Sequence, residues 1–186
     1  MNTVDQIIEA LLFASPEPLT QQKINLIFDK DPPNLDECIQ NISQKFDKQD
    51  HAIEILNLAG GYQIRTKPDY DLYVRRLLNK TGQLQLSQAS LECLSIIAYK
   101  QPVNRTDIEA IRGVDCASVL KTLLKKSLIR IKGRDEGPGR PLMYNTTDAF
   151  LQSFGLSRLA DLPKLKEMSE LLEEQPALTK QINAFK

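Results

Sequence analysis

The sequence has one histidine, three cysteines and no surplus of either charge. Each scarcity excludes something. His51 sits in a charged connection, KQDHAIE, without the clustered partners that a metal site needs. Nor does any histidine stand by to activate Ser87, Ser90 or Ser95, which fall in one helical stretch. Catalysis is not expected, and neither is a metal or cofactor. Cys38, Cys93 and Cys116 are far apart and odd in number, each within a helix-like pattern. They read as buried free thiols in a reducing cytosol rather than a disulfide framework. Lys+Arg and Asp+Glu both number 24. Nonspecific nucleic-acid binding rests on excess positive charge, so the balance argues against a basic architectural protein, though a neutral chain can still carry a basic patch. Apolar runs fall short of the ~20 residues of a membrane span. The start, MNTVDQIIEALLFAS, lacks the basic region of a secretory signal. The chain is therefore expected in the cytoplasm, without a membrane partner.

What is present is a regular order of short elements. Apolar residues at 4, 7, 8, 11 and 12 give a helix that Pro16 and Pro18 stop. Thr20 caps a second helix and Asn34 a third, with Leu35, Cys38, Ile39, Ile42 and Phe46 on one face. IEILNLA (53–59) and YQIRT (62–66) read as strands around a Gly60-Gly61 hairpin. Pro68 opens a fourth helix, DYDLYVRRLLN. The second half repeats the order. Ser87, Asn104 and Asp115 cap three helices, and LIRIK (128–132) and PLMYNT (141–146) pair as strands. TDAFLQSFG (147–155) closes as a short helix.

An offset of 84 lays LLFASPEPLTQQKI (11–24) over SIIAYKQPVNRTDI (95–108), matching Ala14 to Ala98, Pro18 to Pro102 and Ile24 to Ile108. Three helices followed by a hairpin describe a winged helix, whose third helix is the one that enters a DNA groove. The expected fold is thus mainly α with small β-hairpins, in two tandem winged-helix domains. Domain one takes 1–80, domain two 86–160, and 161–186 form a tail, in which KLKEMSELLEEQ has helical character before Pro176. GRDEGPGRP is then the tip of the second wing. It lacks the Lys-Ser/Thr pair of a phosphate loop.

The third helices are poor DNA readers. In domain two only Lys121 and Lys125 could touch phosphate, and no Arg, Asn or Gln is there to read bases. A solvated helix face is the preferred reading, with a weak, sequence-independent DNA contact as the alternative. Residues 1–79 carry 8 basic and 12 acidic residues, net −4, and 87–157 carry 10 and 7, net +3. Apolar surface points to protein partners. Val4, Ile7, Ile8, Leu11 and Leu12 make a broad stripe on the first helix, which either a second subunit or the fourth helix could cover.

IAYKQPV, RTDIEAIRGVD, GRDEGPGRP and the YxTTxxFLxxFGLxxLxDLP pattern, over 86–163, resemble the segregation and condensation protein B (ScpB) family. IIEALLFASPEPLT and AGGYQIRTKPDY extend the likeness to about residues 4–163. Gly137 departs from it, since relatives carry a bulkier residue before PGRP.

The resemblance implies a non-catalytic accessory subunit of the bacterial SMC condensin-like complex. It implies two winged-helix domains, a homodimer formed by the first, and binding of the kleisin ScpA, which connects to the SMC ATPase. The dimer candidates are Val4, Ile7, Ile8, Leu11 and Leu12. The kleisin candidates are Tyr99, Gln101, Pro102, Arg105, Arg112 and Val114, with Arg134, Pro138, Arg140 and Pro141 from the wing. For Arg112 and Arg140 the alternative is an internal ion pair with Asp107, Asp115 or Glu136. A tandem winged-helix DNA-binding regulator is the competing function.

Overall fold

The computed structural model describes residues 3–48, 51–78 and 86–164. The expected joint at 80–85 and the tail beyond Lys164 lie outside the described residues. The N-terminal half runs α1 (Thr3–Ala14), α2 (Gln21–Ile27), α3 (Leu35–Lys48), β1 (Ile53–Leu58), β2 (Gly61–Thr66) and α4 (Asp71–Leu77). The C-terminal half runs α5 (Gln88–Lys100), β3 (Val103–Asn104), α6 (Arg105–Arg112), α7 (Ala117–Lys125), β4 (Ile129–Arg134), β5 (Leu142–Thr146) and α8 (Asp148–Phe154). Each half is a winged helix, three helices followed by an antiparallel hairpin.

Side-chain caps set the helix starts. Thr20 Oγ1 accepts from the Lys23 N–H at 3.3 Å, and Asn104 Oδ1 from Asp107 N–H at 2.9 Å. Ser87 Oγ accepts from Ser90 N–H, and Thr147 Oγ1 from Phe150 N–H, so Thr147 precedes α8 rather than beginning it. α7 differs from expectation. Its cap position is Cys116, and the Asp115 carboxylate accepts from Ala117 N–H, one residue further on, at 3.1 Å. Asp115 has a second task, described below.

The repeat at offset 84 is structural as well as textual. Leu19 and Val103 occupy equivalent places, and each pairs antiparallel with a tyrosine of the wing, Tyr62 or Tyr144. The caps Thr20 and Asn104 follow them, and Ile24 and Ile108, the next matched pair, are both wholly buried. β3 is the strand that the alternation pattern does not reveal, because two residues show no period.

The first hairpin turns at Ala59–Gly60, one residue earlier than the Gly-Gly signal suggests. Both turn residues have left-handed φ, 50° and 72°, as a two-residue turn matched to strand twist requires. Gly61 begins β2, where it faces the backbone of Leu19. In the second wing the ladder shifts between Ile131 and Gly133, a bulge that twists the strand toward its tip.

Two separate cores result. Ile8, Leu12, Ile24, Leu35 and Ile42 centre the first; Leu94, Ile97, Ile108, Leu123 and Leu128 centre the second. Among the described residues, Ala59 N–H donates to the Leu156 carbonyl at 3.0 Å and Ser157 Oγ to Asn57 Oδ1 at 2.6 Å, joining the halves.

Candidate functional site

The candidates in the C-terminal half fall into four places. Tyr99 borders a groove of about 400 Å³ between α5 and α8. Leu91, Ser95 and Tyr99 come from α5 at spacings of four, which places them on one helix face. Phe150 and Phe154 come from α8 with the same spacing, their rings 4.8 Å apart. Leu162 also lines it, and the Tyr99 hydroxyl donates to the Pro163 carbonyl at 2.7 Å. The lining is almost wholly apolar, so the groove suits an apolar helix face and offers nothing for proton transfer.

Gln101 and Pro102 lie at the end of α5. The Gln101 amide is committed inward: Oε1 accepts from Thr146 N–H at 2.8 Å, and Nε2 donates to the Ala98 carbonyl at 3.2 Å. Gln101 thus braces β5 against α5. Pro102 opens instead on a shallow depression with Asp107 and Ile111.

Arg105, Arg112 and Val114 surround the α6–α7 junction. Arg105 Nε donates to Glu109 Oε1 at 2.6 Å, and its Nη2 to Asp115. Glu109 also accepts from Cys116 N–H at 3.0 Å. This backbone bond and Arg105 hold the Glu109 carboxyl below the usual glutamate range. Arg112 forms the internal ion pair that the sequence left open, but with Glu92 of α5, at 3.0 Å. Asp115, one of the acids considered for it, is bound by Arg105. Val114 is exposed on the connection.

Arg134, Pro138, Arg140 and Pro141 share the wing tip. Arg140 N–H donates to the Gly137 carbonyl at 3.0 Å, closing a turn over Pro138 and Gly139, the latter with φ 79°. Arg134 Nη1 donates to the Arg140 carbonyl at 3.0 Å. Arg140 itself holds a left-handed φ of 42°, strained for a residue with a Cβ. Its side chain makes no ion pair with Asp107, Asp115 or Glu136 among the described residues. The α7 lysines, Lys121 and Lys125, are exposed on the helix face away from the core.

The N-terminal candidates divide. Ile8 and Leu12 are inside the protomer's own core, and Val4 and Leu11 pack against it. Only Ile7 of the five is exposed; Phe13, elsewhere on the same helix, is 86% exposed. α4 does not cover them as a core element would, for it has no buried residue. Tyr73 and Leu77 on it are 68% and 82% exposed. The apolar surface of α4 and the α8 wall of the groove were missed as sites. The Phe150/Phe154 spacing was visible in the sequence, but which helix it faces was not.

Among the described residues no helix is long and apolar enough to cross a membrane. Residues 6–165 match the family model described as segregation and condensation complex subunit ScpB. A segregation and condensation protein B from Syntrophotalea carbinolica is 45% identical over 180 residues, covering 96% of this chain and 91% of that one. The crystal structure of ScpB from Mycobacterium tuberculosis is 29% identical, covers 82% of this chain and 95% of that one, and superposes with a TM-score of 0.39. A crystal structure of a dimer of the ScpB N-terminal domain complexed with an ScpA peptide is 23% identical, covering 44% of this chain and 99% of that one, with a TM-score of 0.37. The match over both winged helices shows that this chain belongs to the ScpB family, the segregation and condensation complex subunits.

Proposed function

We propose that the chain is a non-catalytic accessory subunit of an SMC complex in the cytoplasm, at the nucleoid. It dimerises through its N-terminal half and binds the kleisin ScpA through its C-terminal half, reaching the SMC ATPase only through ScpA. The observation that carries this is the family match from residue 6 to 165, which includes both winged helices. The geometry supports it. The groove at Tyr99 is apolar and fit for a helix, while Arg105 and Arg112 are held by acids and unavailable to phosphate. Direct DNA contact, through Lys121 and Lys125, is weak or absent.

The groove and the wing divide the kleisin surface. Tyr99 presents the groove, and Arg140 presents a guanidinium from a strained backbone position. Glycine there would relieve the strain, so Arg140→Gly removes the side chain without a backbone cost. For the dimer, Ile7 and the α4 residues Tyr73 and Leu77 are the exposed apolar groups.

Light scattering tests both. The chain alone should have twice the 21.0 kDa of one copy, and Leu77→Glu should halve it. Mixing with ScpA from the same organism should give a stable larger species. Arg140→Gly should weaken ScpA binding about tenfold or more, a hot-spot effect, without lowering Tm. A monomer that ignores ScpA would discard this reading, and tight, salt-dependent duplex binding would restore the DNA regulator.

A further inference from the structure

We propose that the first wing is a positioning element for the α5–α8 groove: Asn57 and Ala59 hold the segment that follows α8 and forms part of the groove wall. The inference rests on the reading of that groove as the ScpA surface. It starts from an amide that the hairpin cannot use. Leu58 and Gly61 are the last pair of the β1–β2 ladder, so the two-residue turn leaves the Ala59 N–H without a cross-strand partner. That N–H donates to the Leu156 carbonyl of the other half at 3.0 Å. Two residues earlier, Asn57 Oδ1 accepts from Ser157 Oγ at 2.6 Å. One wing thus holds two consecutive residues of the other half, one through backbone and one through a side chain.

Both ends of the contact are stiff. Leu156 N–H donates to the Leu151 carbonyl at 2.9 Å, closing α8 over Gly155, and the Leu156 side chain packs on the second core. Phe154, just before this cap, lines the groove. Beyond Ser157 the chain is bonded to itself as far as Leu162, which lines the groove too. Arg158 N–H and Nε each donate to the Asp161 carboxylate at 3.0 Å, and the Asp161 and Leu162 N–H groups donate to the Arg158 and Leu159 carbonyls. Pro163 is then held by Tyr99 of α5. On the other side, Tyr62 faces Asn57 across the ladder and donates its hydroxyl to Asp36 of α3 at 2.8 Å. A displacement of the first wing therefore carries Leu162 with it.

The consequence is a coupling between the halves. A ligand that fits the groove with its wall in the clasped position also favours the clasp, and the two effects are equal in size. ScpA in the groove of the second half thus steadies the first half against it. Opening the clasp weakens ScpA binding, although neither Asn57 nor Ser157 lines the groove.

Hydrogen exchange on the full chain tests the proposal, in wild type, Asn57→Ala, Ser157→Ala and Asn57→Asp. The last keeps a carboxylate oxygen to accept the Ser157 bond, so it should behave as wild type. In the two alanine variants the amides of Ala59, Asp161 and Leu162 should exchange about fivefold or more faster than in wild type. ScpA binding should weaken about fivefold in the same two variants, with Tm nearly unchanged, and ScpA should slow Ala59 exchange in wild type. Equal Ala59 rates in wild type and the alanine variants overturn the proposal, because the clasp is then not populated. Faster exchange at Ala59 with Asp161 and Leu162 unmoved also overturns it, since the clasp then joins the halves without setting the wall. So does ScpA affinity that stays the same once the clasp is open. A chain that fails to bind ScpA at all sinks the proposed function, while exchange at Asp161 and Leu162 still decides whether the wing positions the wall.

Discussion

Arg112 of α6 donates two hydrogen bonds, at 3.0 and 3.2 Å, to one carboxylate oxygen of Glu92 on α5. The guanidinium side chain is only 8% exposed, whereas Glu92 reaches solvent. The pair ties the first two helices of the C-terminal half together beside Cys93 and Cys116. Arg112→Ala should cost about 1–3 kcal/mol, since it removes a charge-assisted bond and leaves a gap. That lowers Tm by roughly 4–8 °C per kcal/mol if the half unfolds as its own unit. Arg112→Lys should recover only part, because an ammonium cannot reproduce the two-nitrogen contact. Calorimetry reads the fall; an unchanged Tm with lost ScpA binding would return Arg112 to the interface.

The α6–α7 junction should loosen in acid. Glu109 accepts from Cys116 N–H and from Arg105, and both bonds favour its charged form. A carboxyl depressed in the folded state stabilises the fold above its ordinary value of 4.5 and stops doing so as pH falls through the lower folded value. Glu109→Gln should therefore lower Tm at neutral pH, and the gap from wild type should close on going from about pH 5 to about pH 3. Thermal scans across that range check it. A gap that does not change with pH would mean that the amide loses geometry rather than charge.

All three thiols should be silent in the native chain. Cys38, Cys93 and Cys116 are buried. Burial, followed by the neighbouring Cys93 and Glu109, pushes the Cys116 thiol up to about 12. Thiolate is the reacting form, so a thiol this high is unreactive at neutral pH even when a reagent reaches it. A chromogenic disulfide reagent should count no thiols in the folded protein and three after denaturation. One fast-reacting cysteine in the native state would show that its half opens locally.

The elements were legible where pattern and punctuation agree. Thr20, Ser87 and Asn104 each precede an apolar period, and each caps the helix that it announces. β3 was not legible, because Val103 and Asn104 become a strand only through pairing with Met143 and Tyr144. For the candidate site the sequence supplied residue types but not their commitments. Gln101 and Arg112 look alike as polar surface residues near a helix end, yet both are bound internally, to Thr146 and Glu92. The groove needed α5 and α8 side by side, a contact between segments some fifty residues apart that no local period encodes. The first helix misled for the same reason: its apolar stripe is real, but Ile8 and Leu12 face α3 within the chain.

Gly61 lies against the backbone of Leu19. A Cβ built there would lie 2.8 Å from the Leu19 carbonyl oxygen and 2.9 Å from the Thr20 methyl. The neighbouring residue shows why the chains run so close. Leu19 N–H donates to the Tyr62 carbonyl at 2.8 Å, and Tyr62 N–H returns the bond to Leu19 at 2.9 Å. This bridge anchors the first wing to the α1–α2 connection, the place that β3 takes in the other half. A methyl at Gly61 must push that backbone away, because a carbonyl cannot rotate aside like the end of a long side chain. Gly61→Ala should thus destabilise the N-terminal half by about 1–3 kcal/mol, the range for overpacking. Gly60→Ala is the control. Its φ of 72° is strained for alanine, but a Cβ there meets nothing within 4 Å, so its cost should be near 1 kcal/mol. Amide exchange at Leu19 and Tyr62 separates the two: Gly61→Ala should deprotect both, and Gly60→Ala should leave the bridge closed. Deprotection of equal size in both variants would mean that turn strain, not the close approach, governs the wing.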